Sequence, residues 1–219
     1  MAVADHIKDI KDKIVAACRK GGRDAFSVQL VAVSKFQPDE KIQEALDAGL
    51  RVFGENRVQE ACEHWGVRRS VYPDLELHVI GPLQTNKAKE AVALFDVIET
   101  VDRPALIDEL KKECRKQQKF PRFFVQVNVG EEPQKGGVMP ADLPVLLDYA
   151  AQSGLRIEGL MCIPPADDPP ALYFALLMKL AARYNLPNLS MGMSGDFEKA
   201  IALGATHIRV GTALFGDRK

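Results

Sequence analysis

The stretch Gln29-Leu30-Val31-Ala32-Val33-Ser34-Lys35 decides the fold. A short Val-rich run bounded by polar residues reads as a strand buried on both faces. Upstream, Val3, Ile7, Ile10, Ile14 and Ala17 recur at alternating spacings of four and three, the stripe of an amphipathic helix that Gly21 and Gly22 stop. Downstream, from about Pro38, Ile42, Ala45, Leu46 and Gly49 form a second stripe. The alternation then repeats. Strands are expected at 51–54, 77–81, 96–100, 123–129, 156–161, 188–192 and 206–211. Between them run helical stripes: Leu106, Ile107, Leu110 and Cys114; Leu143, Leu146, Leu147 and Ala150; Phe197, Ala200 and Ile201, ending at Gly204. Pro170 to Tyr184 is apolar all round and reads as a largely buried helix, and 163–170 (IPPADDPP) as a proline-stiffened loop. Eight evenly spaced strand–helix units without a linker predict one domain over residues 1–219. That domain is of the α/β class, a single (β/α)8 TIM barrel with an extra N-terminal helix. An open doubly wound sheet is the alternative, but it usually has fewer strands, and no G-x-G-x-x-G follows the first one.

Composition narrows the function. Of 219 residues, 29 are Lys or Arg and 30 Asp or Glu, a net charge of −1, so neither a nucleic-acid platform nor a polybasic membrane binder is expected. Hydrophobic residues at 47% and charged residues at 27% are ordinary for a globular domain. No apolar run is long enough for a membrane span, and the N-terminus MAVADHIKDIKDK has no secretory pattern. Cys18, Cys62, Cys114 and Cys162 are dispersed, which points to a reduced, cytoplasmic protein. His6, His64, His78 and His207 are scattered too, so no metal site is expected from spacing.

In a barrel of this kind function belongs to the C-terminal ends of the strands. Val31, Val33 and Lys35 alternate onto one face, so Lys35 projects into the barrel mouth if the valines point inward. Partial desolvation there favours the neutral amine, which can form a Schiff base with an aldehyde. The ordinary alternative is a lysine that snorkels to water. Met193-Ser194-Gly195-Asp196, read as opening the helix after strand seven, and Gly211-Thr212 after strand eight sit where barrels often bind phosphate. The alternatives are an N-cap serine and a plain strand-to-helix turn. Arg209 shares a strand face with His207, and an inward arginine would keep a neighbouring ring nitrogen unprotonated, unless it serves a structural ion pair. Asn56 has the spacing of an N-cap with Gln59 at N3, and Asn86 also reads as a cap.

Several separated motifs carry a family resemblance: LVAVSKFQPDEKIQEALDAG at 30–49, VFGENRVQEA at 52–61, HVIGPLQTNKAK at 78–89, LSMGMSGDFEKAI at 189–201 and IRVGTALFG at 208–216. Through them the chain resembles the pyridoxal phosphate homeostasis proteins, single-domain relatives of the N-terminal barrel of alanine racemase, nearly end to end. The resemblance implies pyridoxal 5′-phosphate (PLP) as cofactor and a fold type III barrel. Lys35 would then hold it as a Schiff base, Ser194, Gly211 and Thr212 would hold its phosphate, Arg209 would face the pyridine nitrogen, and Asn56 would lie near the ring. Pro82 stands where the family often has histidine, and the stretches 130–137 and 163–170 look atypical.

Racemases of this type take a second acid/base, a tyrosine, from a β domain that follows the barrel. No such domain is expected in this chain, and Tyr72, Tyr149, Tyr173 and Tyr184 fall in loops or helices. An arginine at the pyridine nitrogen also weakens the ring as an electron sink. The expected function is therefore a monomeric carrier, buffer or donor of PLP, with apo-enzymes as recipients and little turnover. The alternative is a small PLP-dependent amino-acid racemase. A third reading is a barrel for some other phosphorylated metabolite.

Overall fold

A computed structural model describes residues 2–216. The strands are β1 (Gln29–Val33), β2 (Val52–Glu55), β3 (Glu76–Val79), β4 (Val97–Val101), β5 (Arg122–Gln126), β6 (Ile157–Met161), β7 (Asn188–Ser190) and β8 (His207–Val210). They form a closed barrel in chain order, every pairing parallel. Closure comes from β1 on β8, with Gln29 opposite His207 and Val31 opposite Arg209. The helices are α1 (Val3–Lys20), α2 (Asp39–Asp47), α3 (Val58–Trp65), α4 (Arg68–Val71), α5 (Ala88–Leu94), α6 (Pro104–Gln117), α7 (Leu143–Ser153), α8 (Pro170–Arg183), α9 (Phe197–Ala202) and α10 (Thr212–Phe215).

Alternation along the strands creates two separate cores. On β8, Ile208 and Val210 pack outward into the shell shared with the helices, whereas His207 and Arg209 turn into the barrel and are still buried. On β1, Ala32 joins the outer shell and Val31 the interior, where its Cγ1 lies against Gly54. The outer shell holds the bulkiest groups, including Trp65 against Phe53 with ring centroids 4.5 Å apart. Each fully buried side chain of this size contributes about 1.5–3 kcal/mol. The N-terminal helix α1 buries Val3, Ile7, Ile10, Ile14 and Ala17 against α2, α9 and α10, and ends at Gly21 with Gly22 at φ +64.

Four local expectations are corrected. Helix α8 is amphipathic: Phe174, Leu177 and Ala181 are buried, but Leu172 is 73% exposed, because an outer-ring helix turns only one side to the sheet. Residues 193–196 form a turn before α9, not its first turn. The Asp196 carboxylate accepts from the Met193 N–H at 2.6 Å and holds Asp196 at φ −143, so the helix starts only at Phe197 and Ser194 is no N-cap. Arg57, not Asn56, occupies the cap position of α3, and Asn86 lies within a 3-10 turn, Thr85–Lys87. Strand β5 ends at Gln126; Asn128 is buried beyond it, bonding the carbonyls of Glu132 and Lys135 to shape the next loop.

Candidate active site at the barrel mouth

A cavity of about 320 Å³ opens at the C-terminal ends of the strands. Lys35, Asn56, Ser194, Arg209, Gly211 and Thr212 all line it, although they come from four separate stretches of chain. Each arrives by a simple route. Lys35 follows β1 two residues after Val33, which also lines the cavity, so the strand's alternation carries its side chain to the mouth. Asn56 follows β2 directly and is pinned by Gly81, beyond β3: a Cβ on Gly81 would stand 2.4 Å from the Asn56 carbonyl oxygen. Ser194 Oγ accepts from the Ala213 N–H at 3.2 Å, tying the 193–196 turn to the start of α10 beside Gly211 and Thr212. The sequence reading missed Ile80, Pro82 and Gln126 as walls. For Gln126 the signal was there, in the alternation of β5, had the strand been ended at its true last residue.

Arg209 is 3% exposed and its partners are fixed. Its Nη1 donates to Ser190 Oγ at 2.6 Å and its Nη2 to the Cys162 carbonyl at 2.7 Å. Ser190 Oγ in turn donates to Glu99 Oε2 at 2.5 Å, and the Glu99 carboxylate stands 3.8 Å from the guanidinium. Behind Glu99 the polar chain continues down the barrel interior. His78 bridges Glu99 at 2.6 Å and Glu76 at 2.8 Å, and Glu76 also receives Arg122 at 2.8 Å and Gln29 at 2.9 Å. Burial opposes charge on each of these groups, yet partner contacts prevail. Glu99 is held down to about 2 by the His78 hydrogen bond and charge and by Arg209, and Glu76 to about 2 by His78, Arg122 and Gln29. His78 is pushed up by its bonds to both carboxylates. His207 goes the other way, to about 4, because burial and the positive neighbours His78 and Arg122 outweigh the pull of Glu99. Arg209 thus presents a guanidinium to the cavity with an ionised carboxylate behind it.

Other reactive side chains stand apart. Burial pushes the Cys162 thiol up to about 12, and all four cysteines are free. Among the described residues no tyrosine lines the cavity: Tyr149 donates to Asp108, Tyr173 to Asp168, and Tyr72 accepts from Gln43. A larger cavity, about 920 Å³, lies at the opposite end of the barrel against Ile14, Phe26 and Arg122. The mouth is nevertheless the better site, because the C-terminal strand ends bring Lys35, Ser194, Arg209 and Thr212 together there.

Comparison with known proteins places the chain in a family. The family described as alanine racemase, N-terminal domain, matches residues 13–219. The pyridoxal phosphate homeostasis protein of Aquifex aeolicus is 41% identical over 229 residues, covering 100% of both chains. The chain belongs to this family. The pyridoxal phosphate homeostasis protein of Escherichia coli K12 is 36% identical across 99% of this chain and 97% of its own. The structure of PipY from Synechococcus elongatus PCC7942 with PLP bound superposes with a TM-score of 0.84 at 38% identity, over 98% of this chain and 100% of that one. No helix among the described residues is long and apolar enough to cross a membrane.

Proposed function

We propose that the chain binds pyridoxal 5′-phosphate in the mouth cavity and carries, buffers or delivers it, supporting cofactor and amino-acid homeostasis. The observation that carries this reading is the convergence of an amine, a buried guanidinium and a hydroxyl- and glycine-rich wall on one cavity of about 320 Å³. Those donors fit the group. Lys35 would hold the aldehyde, Arg209 would face the ring nitrogen, and Asn56 would lie near the ring. Ser194 and Thr212 offer hydroxyls to the phosphate, and Gly211 lets it approach the backbone. When bound, the cofactor supplies an electrophilic carbon and an electron-withdrawing ring.

The surrounding side chains favour retention over turnover. Arg209 is a fixed donor backed by Glu99, so it would keep a ring nitrogen facing it unprotonated and weaken the ring's electron withdrawal. No described tyrosine reaches the mouth to serve as a second acid or base. A monomer working in the cytoplasm with apo-enzymes as recipients completes the reading.

The test is an absorption spectrum of the purified chain with added PLP, before and after borohydride reduction, followed by mapping of the modified peptide. Label on Lys35 that vanishes in Lys35→Ala is expected. Label on another lysine overturns the site. Sustained racemisation of any L-amino acid that Lys35→Ala abolishes overturns the carrier reading in favour of the racemase.

A further inference from the structure

A second cluster lies behind the segment that bears Lys35. Glu55 ends β2, and Glu60 and His64 sit four residues apart on α3, which puts both on one helix face. One carboxylate oxygen from each glutamate and one imidazole nitrogen lie within 4.8 Å of one another. Glu55 is completely buried. Its Oε1 is well used, accepting from Ser34 Oγ at 2.7 Å and Trp65 Nε1 at 3.0 Å and meeting His64 Nδ1 at 3.1 Å. Its Oε2 is shielded from water and accepts no hydrogen bond, and the same holds for Oε2 of Glu60. One buried acceptor left unmade costs about 1–3 kcal/mol, and more for a charged group. Two of them, on carboxylates sharing a cluster with an imidazole, offer oxygen ligands beside a nitrogen ligand.

We propose that Glu55, Glu60 and His64 bind a divalent first-row metal ion of the zinc type. One nitrogen and two carboxylate ligands suit such an ion, and three protein ligands leave a position for water. Scattered histidines conceal the site in the sequence, since Glu55 joins the helical pair only through the β2–α3 turn. The cation also has a structural consequence. Ser34 and Phe36, the two neighbours of Lys35, each bond one of the proposed ligands: the Ser34 hydroxyl donates to Glu55 and the Phe36 N–H to Glu60. Phe36 is held at φ +59, a conformation that a bulky residue rarely adopts. A bound ion therefore braces the segment that presents Lys35. The site itself stands or falls without any assumption about PLP.

Titration calorimetry with Zn²⁺, on metal-free full-length chain, tests it. The expected result is one ion per chain at micromolar or tighter Kd, weakened at least tenfold in Glu60→Gln and in His64→Gln. Binding is expected to survive in Cys62→Ser, which removes the exposed thiol on the same helix. Glu60→Gln keeps an acceptor for the Phe36 N–H, and an unchanged melting temperature in it separates ligand loss from misfolding. No saturable binding, binding indifferent to both substitutions, or binding that disappears in Cys62→Ser overturns the proposal.

Discussion

Gly81 carries more of the site than its size suggests. An added methyl would meet the carbonyl oxygen and Cα of Asn56 at 2.4 and 2.7 Å, both backbone atoms that cannot swing aside. Gly81→Ala should cost about 1–3 kcal/mol, read as a shift in denaturant midpoint, and should weaken PLP binding by displacing Asn56. Glu99 is equally exacting, since Glu99→Gln removes the charge shared with His78 and Arg209. Breaking one partner out of a buried ionic network costs about 3–5 kcal/mol, and equilibrium unfolding would register it. Lys35 and Arg209 were legible in the sequence because a strand's two-residue period points them inward once the valines are placed. Glu76, His78 and Glu99 obey the same period, yet a buried charge looks like a solvated one until its partners from other strands are known. Only the closed barrel brings those partners within 3 Å.

Strands were the easiest elements to read, because a buried parallel strand is short, β-branched and bounded by turn residues. All eight lie where the apolar runs placed them, with ends shifted by a few residues. Helix faces were harder. A helix rich in Leu and Ala hides which stripe meets the sheet, and α8 keeps Leu172 in water while burying Leu177 completely. The two positions should respond differently. Leu177→Ala should cost about 2–5 kcal/mol, whereas Leu172→Ala should fall within about 0.5 kcal/mol of the parent in thermal or urea unfolding. Short turns misled for another reason. In residues 193–196 a single side-chain bond, Asp196 to the Met193 N–H, delays the start of α9, and no helix propensity reports such a bond.

Charges inside the barrel make the stability of the whole molecule fall with acid in two stages. His207 titrates near 4 in the folded chain against 6.5 when free, so between those values the unfolded chain holds a proton that the folded one lacks. Stability then declines as pH drops from 6.5 toward 4, by at most about 3 kcal/mol for this group. Glu76 and Glu99 take over below 4.5, where the contribution of their ionised forms is lost as pH approaches 2. His78 has a raised pKa, so its contribution is complete below 6.5 and fades only on the alkaline side. Unfolding free energy measured against pH should show both acid stages, and His207→Gln should flatten the first while leaving the second.

Closure by β1 on β8 has a consequence for biosynthesis. Lys35 leaves the ribosome early, whereas Arg209, Gly211 and Thr212 belong to the last strand and the turn after it. A nascent chain released through β7 has the lysine but neither the opposite wall nor the strand that seals the barrel. Cofactor capture in this cavity is therefore expected only once β8 has joined the barrel, and chains arrested before β8 should stay empty when PLP is supplied to a stalled translation reaction.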